Sequence, residues 1–413
     1  MNKIKGTQDF IYKRALLYNR IILTCRDISM KRGFFPIVTP TIEATEVFLR
    51  SVGETTDVVK KEMYTFLDKG DRSITLRPEG TAGVVRALIE NKIYSNSLTY
   101  NKFCYDGSMF RYERPQAGRY REFHQFGVES FGPKTPLRIF EVIETAVKIL
   151  EALGIKNTTL ELNSLGDSET RNGYKNKLVE YFKKYESELC TDCKERLTKN
   201  PLRLLDCKVC SQKPWFLKAP KISESLTMNA SEHFQKVCAL LTKANIKYVL
   251  NPNLVRGLDY YTDTVFEIKN SEGLALYGGG EFDMLVKEMG GPELGGSGFA
   301  IGVERLMEAV KEIETEAFSY TEVFIITLDE KSRERGFKLL SDLRSLSVNT
   351  ELSYQHYDLK KQFKESEHLN PKYLIIIGDE EVKERKFILK DTKTKEQSKL
   401  DYESLCEKLK EKK

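Results

Sequence analysis

The sequence predicts an α+β protein whose main domain is built on an antiparallel sheet, interrupted by a small inserted domain and followed by a small α/β domain. Three observations carry this. Over residues 73–77, 102–112 and 122–131, aromatic and polar residues alternate, the pattern of half-buried antiparallel strands. From about residue 167 to 243 the alternation gives way to a basic segment with paired cysteines, and strand-like residues return at 246–250. From Thr321 two continuous apolar runs, 323–326 and 373–377, flank an amphipathic helix near 332–346, as expected of strands covered on both faces.

At 413 residues the chain exceeds one compact core, and the boundaries fall at 1–166 with 244–318, 167–243, and 321–413. Residues 15–31 carry helical apolar spacing and lead through Gly33 into an extended stretch punctuated by Pro36 and Pro40. A second amphipathic helix is expected at 137–153. Glycine clusters at 278–280 and 290–291 precede a helix opening at Gly302. The charged end, 407–413, reads as a solvated helix terminus.

The first ten residues lack the apolar run and small-residue cleavage site of a secretory signal. No stretch approaches the roughly 18 apolar residues of a spanning helix. A cytoplasmic protein without membrane contact is therefore expected, with its eight cysteines as thiols or metal ligands rather than disulfides. The net charge of +5 is too mild to predict a nucleic-acid binder. Its distribution is uneven, however: residues 171–221 hold thirteen Lys/Arg against six acids, a net +7.

The densest chemistry runs from Phe110 to Glu129. Arg111, Arg114, Arg119 and Arg121 lie within eleven residues, with Pro115 and Gly118 between them. A guanidinium presents a planar fork of donors that matches phosphate oxygens, so a strand-loop-strand of this kind can grip a polyphosphate. On the second strand Gln125, Gly127 and Glu129 share one face and His124 and Phe126 the other, which makes His124 structural. A surface hairpin whose arginines pair with Glu113 and Glu122 is the plainer alternative.

This string resembles motif 2 of class II aminoacyl-tRNA synthetases, in the form found in histidyl-tRNA synthetases. Residues 76–81 (Leu-Arg-Pro-Glu-Gly-Thr), 254–261 (Leu-Val-Arg-Gly-Leu-Asp-Tyr-Tyr), 298–306 and Gly6-Thr7-Gln8-Asp9 resemble the same family, the second being its histidine-specific signature. The resemblance implies a class II synthetase-like catalytic domain, a homodimer with residues 33–40 at the interface, and ligation of L-histidine to tRNA(His) through an adenylate. It implies Arg111 and Arg256 as catalytic residues at the α-phosphate of ATP, and Arg119 and Arg305 at the γ-phosphate. Glu113 would meet the adenine amine, Phe123 would stack under the ring, and Mg²⁺ would accompany the nucleotide. For histidine it implies Glu79, Gly80, Thr81 and Gln125 at the α-amino group, Arg256 at the carboxylate, and Glu129, Tyr260 and Tyr261 at the imidazole. Strand alternation sends the two tyrosines to opposite faces, so one of them reads as core. Where many members read Gly-Gly-Arg-Tyr-Asp this chain has Gly279-Gly280-Glu281-Phe282-Asp283, and Glu281 is left out of the site; Asp283 reads as turn chemistry.

Cys190, Cys193, Cys207 and Cys210 form two C-x2-C pairs thirteen residues apart, a spacing that can close a structural Zn²⁺ site with four thiolates. The insertion that carries them approaches the tRNA acceptor arm in the family, and its positive charge suits phosphate. Residues from 321 resemble the family's anticodon-binding domain, with Lys360, Lys361 and Lys364 as a local phosphate-contact cluster. Two rivals stand beside the ligase. One is a synthetase-like regulatory subunit of ATP phosphoribosyltransferase, which would not need the ATP arginines; the other is a structural nucleic-acid-binding protein, disfavoured by the mild charge.

Overall fold

In the computed structural model the chain divides into two compact units, Met1–Ile313 and Glu314–Lys413. The structure describes all residues except 54, 55, 57, 97–99, 116, 117, 208, 312–320 and 411–413. Gln116 and Ala117 of the arginine-rich string, Lys208, the expected boundary at 318 and the end of the charged tail thus lie outside the described residues. Among those described, no helix is long and apolar enough to cross a membrane.

The first unit is organised by an eight-stranded sheet. Its order is Phe35–Pro36, Asn101–Phe110, Glu122–Gly132, Gly295–Gly302, Ala275–Glu281, Thr262–Lys269, Thr159–Ser164 and Val249–Leu250. The inner pairings are antiparallel, and only the two edge strands pair parallel. Alternation decides the two faces. Phe126 and Val128 point into a core closed by the helices Lys13–Met30, Pro136–Ala152 and Met228–Lys243. Phe131, of opposite parity, faces the second core beneath the insertion. The strand expected at 73–77 forms as Ser73–Leu76 but pairs in a separate three-stranded sheet with Ile42–Ala44 and Tyr64–Leu67.

The cysteine-bearing segment leaves the core and returns to it at one point. Asp167 caps the helix Ser168–Lys183, accepting from Thr170 N at 2.8 Å, and its other oxygen takes the Thr227 hydroxyl at 2.6 Å. The excursion therefore closes at Thr227 rather than near 243. The reason is that Met228–Lys243 buries Val237 and Leu241 against the sheet's helical layer. The excursion is not a separate compact body either: Leu178, Phe182, Cys193 and Trp215 share one apolar cluster with Tyr105, Tyr260 and Tyr261.

Glu281, where the family pattern differs, is fully buried in this first unit. It accepts from His233 at 2.9 Å and from Thr264 N at 3.1 Å, and lies 3.4 Å from the buried Arg138. Burial opposes its charge, yet the His233 bond and Arg138 hold its pKa below the ordinary value. Asp283 also ion-pairs with Arg138, at 2.5 Å, so it does more than shape a turn.

The second unit is a five-stranded mixed sheet in the order Thr350–Leu352, Val323–Thr327, Tyr373–Ile377, Phe387–Asp391 and Gln397–Leu400. The first three strands are parallel and the last two add an antiparallel hairpin that the apolar runs did not foretell. Val323 and Ile325 pack under the helix Glu330–Ser345, while Phe324 and Ile326 face Phe363 on the opposite side. Burial on both faces explains the unbroken runs. Gln362, with no exposed surface, reaches from the helix Leu359–Leu369 to bond both Thr327 N (3.1 Å) and Thr327 O (2.7 Å). Gln362→Ala strands both backbone groups, so urea unfolding is expected to show a loss of about 2–4 kcal/mol for this unit; a change below about 0.5 kcal/mol would show the two bonds to be immaterial.

Candidate active site

A cleft of about 250 Å³ opens over the sheet face that carries Gln125. Its cationic wall starts at the loop between the strands Asn101–Phe110 and Glu122–Gly132. Arg111 donates its Nε–H to Pro78 O at 2.9 Å, and its guanidinium sits 5.2 Å from the Phe123 ring centre. Arg119 faces Glu113 at 3.5 Å, and Arg305 binds Ala275 O at 2.5 Å. The loop is braced from the chain's start, since Arg121 N donates to Gly6 O at 2.8 Å while its guanidinium covers Tyr112. Burial and the neighbouring Arg119 pull the Arg305 pKa below its usual value. Arg111 and Arg305 bond backbone carbonyls and Arg119 faces Glu113, so this wall presents clustered guanidinium donors of the kind that suits an anion.

The second wall is acidic and phenolic. Glu79 turns back onto the helix Thr81–Glu90, accepting from Thr81 N (2.7 Å) and Ala82 N (2.8 Å), where the helix dipole favours a negative charge. Glu129 is 1% exposed; its Oε1 takes the Thr81 hydroxyl at 2.6 Å and the Tyr105 hydroxyl at 3.3 Å, while Oε2 has no partner. Gln125 Oε1 is likewise buried and unpartnered. Burial, with Glu79 nearby, pushes the Glu129 pKa well above the carboxylate range despite the Thr81 and Tyr105 bonds. Room for these groups comes from glycines on neighbouring strands. A β-carbon at Gly298 would overlap the Glu129 carboxylate, and one at Gly278 would overlap the Arg256 guanidinium. Arg256 itself donates to Glu267 at 2.6 Å and lies 6.0 Å from the Tyr261 ring, with its Nε unpartnered.

Residues 6–306 match the model of the histidyl-tRNA synthetase family, and residues 322–412 that of an anticodon binding domain. A histidine–tRNA ligase of Bacillus cytotoxicus is 44% identical over 400 residues, 95% of each chain. One from Lysinibacillus sphaericus is 43% identical over 408 residues, 97% of each. The crystal structure of apo S. aureus histidyl-tRNA synthetase superposes with a TM-score of 0.82 at 36% identity, covering 99% of this chain and 100% of that one.

The chain belongs to the histidyl-tRNA synthetase family.

Set in that family, the cleft gathers Glu79, Thr81, Arg111, Glu113, Arg119, Phe123, Gln125, Arg256, Tyr260, Tyr261 and Arg305. Glu129 lies directly beneath, bonded to Thr81, and Gly80 makes space for the Tyr105 ring. Both tyrosines of the signature line the cleft, with ring centres 4.6 Å apart. The alternation that sent one of them to the core does not apply, because the strand begins only at Thr262. His124 is away from the cleft, fastened by Glu304 at 2.8 Å and packed on Phe10 and Tyr18. Sequence reasoning missed Tyr105, Glu267 and Glu304. Tyr105 stands opposite Gly127 in the hairpin register, a signal that pairing the two strands on paper would have given. Nothing local marks Glu267, which reaches the cleft only through strand order.

Burial raises the Glu129 pKa above its unfolded value of 4.5, so the folded state binds that proton more tightly and stability falls as pH rises from 4.5 toward the raised value. Glu129→Gln is expected to remove that loss, raising the melting temperature of the ligand-free protein at pH 7 but not at pH 4. An equal effect at both values would contradict the assignment.

Proposed function

We propose that the protein is a histidine–tRNA ligase: it activates L-histidine with ATP and passes the histidyl group to the 3′-terminal adenosine of tRNA(His). One observation carries the reading. A single cleft makes two complementary demands: arginines clustered on one wall, two of them bonded to backbone carbonyls rather than to acids, and beside them a buried carboxyl group with one oxygen unpartnered. A polyphosphate meets the first and an imidazole N–H the second.

In the first step a carboxylate oxygen of histidine attacks the α-phosphorus and pyrophosphate leaves. No general base is needed, because the nucleophile is already ionised. Arg111 and Arg256 stabilise the charge that builds on the α-phosphate, and Arg119 and Arg305 hold the γ-phosphate end. Glu113 accepts from the adenine amine above Phe123. Glu79, Thr81 and Gln125, with the backbone at Gly80, receive the α-ammonium group; Glu129, Tyr260 and Tyr261 read the ring. An apolar analogue leaves Glu129 unpaired, at a cost of about 1–3 kcal/mol. Mg²⁺ bound with ATP supplies charge neutralisation at the phosphates. Glu79 and Glu304 are engaged with backbone amides, so Glu267 or Glu113, each paired with a basic side chain, would be the carboxylates to hold it. In the second step the terminal 3′-hydroxyl attacks the adenylate carbonyl and AMP leaves. The basic insertion faces the acceptor arm, and Lys360, Lys361 and Lys364 face anticodon phosphates. A regulatory subunit of ATP phosphoribosyltransferase would keep the acid-and-phenol wall without needing the arginines, and the relatives at 43–44% identity favour the ligase.

The catalytic domain spans 1–166 and, with the helix Met228–Lys243 counted to it, continues to about 318; residues 321–413 form the anticodon domain. The protein works in the cytoplasm as a homodimer. Residues 33–40 supply apolar surface for the dimer at the sheet edge, Phe35 being 65% and Val38 94% exposed. The four cysteines of the insertion hold a structural Zn²⁺. Their sulfurs lie within 4.8 Å of one another, and Cys190 Sγ is 3.7 Å from Cys207 Sγ. A tetrahedral ion with bonds of about 2.3 Å sets sulfurs roughly 3.8 Å apart.

Histidine-dependent exchange of pyrophosphate into ATP tests the ligase. Arg256→Ala is expected to lower it by roughly 10²–10³-fold; exchange driven equally by other amino acids would remove the specificity claim. For the metal, elemental analysis is expected to find about one Zn²⁺ per chain, lost from a Cys190→Ser/Cys207→Ser variant. Metal-free protein of unchanged stability would refute that role.

A further inference from the structure

The loop from Arg256 to Tyr261 carries three groups of the cleft, yet it has no helix or strand of its own. Nothing lies within 4 Å of a β-carbon built at Gly257, so packing does not hold the loop there. Its backbone is held by arginines of the insertion, which reach it from outside the cleft. Arg203, 8% exposed, donates Nε–H to Asp259 Oδ1 at 3.2 Å and a second N–H to Gly257 O. Arg171 donates to Tyr261 O at 2.7 Å. Neither arginine lines the cleft. Arg203 belongs to the turn Pro201–Asp206, which is bracketed by Cys193 before it and Cys207 after it. Its own carbonyl is taken by Arg196, on the helix that starts beside Cys190.

We propose that Arg203 is a positioning residue for amino-acid recognition, clamping the Arg256–Tyr261 loop with Arg171, and that the thiol cluster is the anchor of this clamp. The inference rests on the reading of the cleft as a histidine site and deepens it. One fork spans a side chain and a main-chain carbonyl on the same loop, so it sets where Arg256, Tyr260 and Tyr261 stand. Glu113, Arg119 and Phe123, assigned to the adenine and the γ-phosphate end, sit on the hairpin between Asn101–Phe110 and Glu122–Gly132 and do not depend on it; Arg256, which also meets the α-phosphate, does. Binding of metal to the cysteines thereby sets affinity for the amino acid, at a distance from it, while leaving the adenine and γ-phosphate end of the cleft alone.

The test is pyrophosphate exchange with separate Michaelis constants for histidine and ATP. For Arg203→Ala the histidine KM is expected to rise roughly ten-fold with the ATP KM within about two-fold of wild type, as for a group that orients a binding residue. Arg203→Lys, which keeps the charge but not the fork, is expected to fall between the two. Wild type stripped of metal by a chelator is expected to show the same split, reversed by added Zn²⁺. Should Arg203→Ala not fold, Asp259→Asn keeps the loop's shape and weakens the same contact, and a smaller rise in the histidine KM alone is expected. Unchanged histidine KM in a folded Arg203→Ala, or both constants rising together, overturns the clamp; a metal-stripped enzyme with normal constants overturns the anchor. Wild-type exchange that does not depend on histidine would instead sink the underlying reading.

Discussion

A carboxyl group shut away from water with one oxygen unbonded is an unfavourable thing to build, and Glu129 is that group. Much of the first unit is arranged around it. The Thr81 hydroxyl, at the start of a helix, and the Tyr105 hydroxyl, on the adjacent strand, satisfy one oxygen. Gly298 on the other adjacent strand clears the space for the second. The open oxygen is the fold's unmet requirement, and a ligand donor completes it. A ligand without that donor would leave the cost in place.

The cationic wall poses the same problem with the opposite sign. Arg305 is half-buried near Arg119, with Glu113 and Glu267 as the acids that offset it. Without an anion the wall repels itself; with a polyphosphate it is neutralised. Both walls thus hold fixed polar and charged groups that a ligand of matching chemistry would complete. Preorganisation of this kind lets charges stabilise a transition state without moving toward it.

The insertion shares a core with the cleft instead of hanging from it. Phe182, Trp215 and three of the cysteines pack in one cluster with Tyr105, Tyr260 and Tyr261. A change at the cysteines is thus a change in the support of Tyr260 and Tyr261 at the cleft. The second unit is simpler: one sheet covered on both faces, tied internally by Gln362.

Alternation and apolar runs by themselves determined the central hairpin, the helices near 13–30, 136–152 and 330–345, and the change of architecture after residue 321, because side-chain period is a local property. The face shared by Gln125 and Glu129 was legible for the same reason, and so was the four-cysteine spacing. Tertiary structure alone decided the rest. Ser73–Leu76 left the main sheet, Tyr260 and Tyr261 turned to one cleft, and the excursion closed at Thr227. Each of these depends on what lies across from a residue rather than beside it. Glu267 and Glu281 are the sharpest cases: identical carboxylates whose roles, one beside Arg256 in the cleft and one locked to His233 and Arg138, were set by strand order and burial. Coulombic and desolvation energies depend on distance and surroundings in space, and a linear chain does not state either.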